Sequence, residues 1–246
     1  MKKIFFICFT LLLALTGGCS MNDKQNQNGQ DGEKTEAIKP KDLDSKDLPQ
    51  VPAFQDEKTR EYMVSAKEEE PGYYLLESKL KGFRMLFPED GEYSSYLSSS
   101  DENEEIIAFD SYNKTKNIML NAQVEYYRQE TFINDPETML DQVGNENSYN
   151  GNFEKLEEKN KDIYIAYKKN TLKDSKNKYN FSNRYFGYVK SNEKENVGIV
   201  FSFMFRCPND NQPCSLNEHD SKKQAMKFVK SVTFLINKKE RYPYEY

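Results

Sequence analysis

A single histidine, His219, and four cysteines are the only imidazole and thiolate metal ligands in this chain of 246 residues. A structural zinc normally takes four protein ligands. Past residue 19 only Cys207, Cys214 and His219 remain, with no third cysteine or second histidine to complete a set. No metal and no cofactor is therefore expected. The Gly-x-Ser-x-Gly elbow that presents a hydrolase serine is missing too. Ser215, Asp220 and Ser221 are neighbours of His219 in sequence, but adjacency does not make a triad. His219 reads instead as a solvated residue in the first turn of a helix. Positive charge is in deficit, with 35 Lys and Arg against 40 Asp and Glu, a net of −5. That balance argues against a nucleic-acid partner and against electrostatic docking on anionic lipid. Beyond the first 18 residues no apolar run is long enough to cross a bilayer.

Aromatic residues are plentiful by contrast. Seventeen Tyr and sixteen Phe are too many for a wholly disordered chain, and the length suits one domain plus a tether. The start is distinctive: Met1-Lys2-Lys3, an apolar stretch from Ile4 to Leu15, then Thr16-Gly17-Gly18-Cys19. This resembles a bacterial lipoprotein signal peptide, with Thr16 where the usual pattern carries Leu. The resemblance implies that residues 1–18 are removed and that Cys19 becomes an acylated N-terminus, the protein's only hold on the membrane. Residues 20–50 are rich in Asn, Gln, Asp, Lys, Gly and Ser, and read as a disordered tether. As a random coil, ~30 residues reach roughly 30 Å from the bilayer. The organisation expected is thus a signal peptide (1–18), a lipidated tether (19–50) and one domain (51–246). Outside the cytoplasm, Cys207 and Cys214 are expected to close a small disulfide loop, contributing roughly 2–3 kcal/mol.

Within the domain, periodicity predicts a helix over Phe54–Lys67, then strands at 73–78, 83–87, 106–112 and 118–127. In the last of these, Ile118, Leu120, Ala122, Val124 and Tyr126 alternate with Met119, Asn121, Gln123, Glu125 and Tyr127. Asp135-Pro136 starts a helix that runs to Val143, with Gly144 after it. Four more strands follow at 152–159, 163–168, 184–190 and 197–206, with a polar, lysine-rich loop from Lys169 to Tyr179. A closing helix starts at Ser215 or Asn217 and buries Ala225, Phe228, Val229 and Val232; a short strand within 231–236 ends the domain. The fold class expected is α+β, an antiparallel sheet with flanking helices.

The phrase Lys81-Gly82-Phe83-Arg84-Met85-Leu86-Phe87-Pro88, the central helix, and the ending Lys230-Ser231-Val232-Thr233-Phe234 are similar to Mog1/PsbP-like domains of bacterial surface lipoproteins, over residues 72–236. The whole chain resembles lipoproteins of the YvcA type from Gram-positive bacteria. The resemblance transfers no catalytic residue. It implies a membrane-anchored surface role in colony or biofilm architecture.

The acidic runs Glu68-Glu69-Glu70 and Asp101 to Glu105 read as solvated loops, and the aromatic Tyr242–Tyr246 end as a frayed tail. The function expected is a non-catalytic, lipid-anchored domain that binds a surface protein or wall polymer. An enzyme acting on wall or matrix polymers is the alternative. A cleft with converging carboxylates, or a buried Tyr–acid pair, would favour it.

Overall fold

The structure is a computed structural model and describes residues 39–171 and 178–235. The expected signal peptide, Cys19, the tether up to Ile38 and the C-terminal tyrosines lie outside the described residues.

Order begins earlier than the composition indicates. Pro40–Asp42 and Ser45–Asp47 form two 3-10 turns, Pro40 is buried, and Leu48 joins the main core at 5% exposure. Three apolar residues, Pro40, Leu43 and Leu48, are enough to hold this polar stretch down, so residues 40–50 are not tether. The helix expected over 54–67 is instead two single turns, α1 (Pro52–Gln55) and α2 (Glu57–Arg60). Asp56 stays extended between them. Its carboxylate accepts from the Thr59 amide (2.7 Å) and hydroxyl (2.6 Å), and so caps α2. Met63 then bridges to Leu76, drawing the chain into a sheet and away from helix.

Two antiparallel sheets follow, where the sequence implied one. The smaller has the order β1 (Tyr73–Glu77), β2 (Phe83–Pro88), β11 (Thr233–Phe234). The larger contains β3 (Gly91–Tyr93), β4 (Ser99–Ser100), β5 (Glu104–Asn113), β6 (Ile118–Arg128), β7 (Glu154–Glu157), β8 (Lys161–Thr171), β9 (Phe181–Ser191) and β10 (Val197–Arg206). Its order is β3-β5-β6-β10-β9-β8-β7, with β4 also paired to β5. Helix α3 (Pro136–Glu146) packs on β9 from one side; α4 (Glu218–Ser231) packs on β2 and β9 from the other. The class is α+β with antiparallel sheets and flanking helices, as expected.

The alternation in β6 holds: Leu120, Ala122, Val124 and Tyr126 are buried and their odd-numbered neighbours half-exposed. In β10, Val197, Ile199, Phe201, Phe203 and Phe205 enter the core beneath α4. Strand β9 is buried on both sides, with Tyr185 and Val189 under α4 and Phe186 and Tyr188 under α3. Asn217, not Ser215, caps α4, its side chain accepting from the Asp220 amide at 2.9 Å. Gly144 lies inside α3, which continues to Glu146. Gly82 leaves no room for a side chain, because a Cβ there would meet the Tyr126 ring at 2.0 Å.

Candidate functional site

A cleft of about 430 Å³ lies where α4 meets the β5–β6 hairpin and the β2–β3 turn. Its size is that of ordinary small-ligand sites. Apolar groups form part of its lining: Ile118 and Leu120 from β6, Phe205 from β10, Leu216 before α4, and Pro88. These alternate or cap their elements so that one face of each turns inward. Polar and charged groups stand around them. Glu89 and Asp90 come from the β2–β3 turn, Lys116 from the β5–β6 hairpin, and Asp220, Lys223 and Lys227 from α4.

The members of this lining differ in how far they are already engaged. The Ser111 hydroxyl donates to Asp90 Oδ1 at 2.6 Å. Asp220 Oδ2 accepts from the Asn217 amide group at 2.8 Å. Lys227 pairs with Glu70 and lies 4.3 Å from the centre of the Tyr73 ring, a cation–π contact. Burial holds the Tyr73 phenol above its ordinary pKa, and the Lys227 charge acts against that rise. The exposed side chains of Glu89, Lys116 and Lys223 make no ion pair among the described residues.

Beside the cleft, Cys207 and Cys214 are joined, their Cα atoms 6.0 Å apart. The loop they close is tied to the β5–β6 hairpin. Asn117, buried and with a positive φ of 52°, donates to the Asn209 carbonyl at 2.6 Å and accepts from the Asn209 amide at 3.2 Å. Tyr179 donates to the Gln212 carbonyl at 3.0 Å and accepts from the Cys214 amide at 3.1 Å. One residue further on, the Ser215 amide donates to the Lys116 carbonyl at 3.2 Å. The covalent loop thereby fixes the stretch Ser215–Asn217 that lines the cleft.

Other residues singled out in the sequence are placed as follows. His219 is exposed on α4 and does not line the cleft. Ser221 is buried, donating to the Asn217 carbonyl at 2.8 Å and accepting from Asn183 at 3.1 Å, so no Ser-His-Asp arrangement forms. Of the first acidic run, Glu70 reaches Lys227 and Glu68 accepts from the Gly72 amide at 3.3 Å. The second run departs from expectation. Glu105 is fully buried, accepting from the Lys79 and Leu80 amides at 3.0 and 3.1 Å. It holds the turn between β1 and β2, and burial raises its pKa against those bonds. The signal was parity: Glu105 shares a strand face with Ile107 and Phe109. Lys161 was missed likewise. It is buried, on the face of Ile163 and Ile165, and donates to the Lys230 and Val232 carbonyls at 2.6 and 2.5 Å. It satisfies carbonyls at the end of α4, where helices leave them unpaired.

Half-buried Glu125 accepts from Tyr127 at 2.9 Å and from Gln123 at 2.7 Å on the large sheet's α3 side. Among the described residues no group of side chains could hold a metal ion, and no helix is long and apolar enough to cross a membrane.

A family model described as "Putative lipoprotein YvcA" matches residues 49–233, a span that contains the whole cleft. The chain belongs to the YvcA lipoprotein family. The Bacillus subtilis (strain 168) protein of that description is 61% identical over 242 residues, 98% of this chain and 100% of the relative. Among solved structures, the Saccharomyces cerevisiae Ran-binding protein Mog1p superimposes with a TM-score of 0.40 at 12% identity, covering 65% of this chain and 94% of that one. A Mog1 mutant gives 0.40 at 11% identity, covering 65% and 95%. Likeness at this level carries no argument about the cleft.

Proposed function

We propose that this YvcA-family chain is a non-catalytic, lipid-anchored protein on the outer face of the cell membrane. Acyl groups on Cys19 hold it, and its α+β domain binds a surface protein or wall polymer at the membrane–wall interface, in support of colony or biofilm architecture. The observation that carries this reading is the state of the cleft's acids. Asp90 and Asp220 are each occupied by a neighbouring donor, which leaves Glu89 as the one lining carboxylate without a partner among the described residues, and His219 lies outside the lining. An enzyme that cuts a wall glycan by the usual glycosidase route needs two carboxylates flanking the bond to be cut. The Glu125–Tyr127 pair is the observation that favours this enzymatic alternative, but it sits on an open sheet face and not in the cleft. Anchoring is supported by the family and by the relative, whose match over 98% of the chain includes the N-terminal region.

The test is detergent phase partition of the full chain. The natural protein is expected in the detergent phase and Cys19→Ala in the aqueous phase. Equal partition and processing of the two would refute the anchor.

A further inference from the structure

We infer that the cleft between α4, the β5–β6 hairpin and the β2–β3 turn binds a short peptide segment carrying both a free amine and a free carboxylate. This rests on the proposed binding function and specifies its ligand. Three observations carry it.

The first is volume. About 430 Å³ accommodates something near the size of a tripeptide. The second is the lining. Ile118, Leu120, Phe205 and Leu216 give an apolar surface that a ligand's body would cover. The third is the placement of charge. Glu89 stands on the β2–β3 turn beside Asp90, whereas Lys116 and Lys223 come from the hairpin and from α4, where Asp220 is taken up by Asn217 and Lys227 by Glu70. Glu89, Lys116 and Lys223 make no ion pair among the described residues, so their charges remain available to a ligand.

This distribution selects among ligand chemistries. A neutral glycan leaves charges of both signs unmatched. A polyphosphate meets repulsion from Glu89 and Asp90, and like-charge juxtaposition of this kind excludes wrong partners. A zwitterion places its amine toward Glu89 and its carboxylate toward Lys116 and Lys223. The disulfide loop adds preorganisation, because Cys214 fixes Ser215 and Leu216 on the lining before any ligand arrives.

The experiment is calorimetric titration of the full-length chain, in detergent micelles, with the tripeptide Ala-Leu-Ala and with its N-acetylated and C-amidated forms. Saturable binding of the free tripeptide is expected, weakened at least about fivefold by blocking either end. Glu89→Gln should abolish the penalty for acetylation and leave that for amidation. Lys223→Gln should reduce the penalty for amidation and leave that for acetylation. Both residues are exposed, so a folded variant is expected, and its circular dichroism should match the natural chain.

Three results would each overturn the inference: no saturable binding up to about 10 mM, equal affinity for the doubly blocked peptide, or a neutral disaccharide binding as tightly. Phase partition of Cys19→Ala reports on the anchor alone. The anchor can therefore fail while the peptide site stands, and the reverse.

Discussion

The two faces of the large sheet are built to different standards. Against one face lie α4, the small sheet and the segment from Leu48 to Met63, closing a core that includes Phe54, Phe83, Phe87, Phe109, Phe203 and Phe228. Phe228 alone meets the rings of Tyr73, Phe109 and Phe203. Against the other face lie α3, Ile133 from the turn before it, and Tyr149 and Phe153 after it, over Tyr164, Ala166, Phe186, Tyr188 and Val200. The β5–β6 half of that face is left with half-exposed polar groups such as Asn121, Gln123 and Glu125. One face thus concentrates apolar burial, and the other is only partly roofed. The cleft belongs to the first face, at the edge where α4 leaves the sheet, so its lining rests against the larger of the two apolar clusters.

Truncating Phe228 should break the difference between the faces most severely. Phe228→Ala empties a fully buried ring site and should cost about 3–5 kcal/mol, read as a fall in the urea midpoint. If the loss were no larger than for a buried residue of α3, the two faces would be equivalent after all.

A buried residue of α3 itself supplies the matching measurement. Met139 is fully buried there, and Met139→Ala should cost about 2 kcal/mol, at the low end for such truncations because the half-roofed site can collapse. Amide exchange should speed up first in α3 and leave β6 and β10 protected. Uniform acceleration throughout the sheet would show that α3 and α4 unfold as one unit.

The smallest effect is expected at Glu125, on the uncovered part of the same face. Burial raises its carboxyl above the ordinary 4.5, with Glu104 and Glu146 adding to the rise and Tyr127 and Gln123 opposing it. A raised carboxylate pKa means the folded state holds the proton more tightly. The native chain should therefore lose stability as pH rises from 4.5 through the raised value. Glu125→Gln should lie within about 0.5 kcal/mol of the native chain at pH 4 and gain relative to it by pH 7. A gap that does not change with pH would show that Glu125 titrates as in the unfolded chain.

Much of this architecture was legible in the chain. Alternation in β6 and β10 named the buried faces, since a strand's side chains must point to opposite sides. Asn217 was one of two possible caps for α4. What escaped the sequence is instructive. Glu105 looked like part of a solvated acidic run, although its parity set it beside Ile107 and Phe109. Only the turn at Lys79–Leu80, 26 and 25 residues away in sequence, supplies the donors that make its burial tolerable. Likewise the polar composition of residues 40–50 concealed Leu48, whose burial depends on a core made elsewhere.

What the sequence determined by itself is what local physics dictates: where the longer strands and helices α3 and α4 form, which face of each is apolar, the acidic charge, and the similarity of the first 19 residues to a lipoprotein leader. These follow from periodicity and side-chain chemistry within a few residues. The tertiary structure alone decided the split into two sheets, the burial of Glu105 and Lys161, and the cleft, whose lining comes from between Gly72 and Lys227. Such meetings rest on packing between distant segments, and the energy of a non-local contact appears only once both partners are in place.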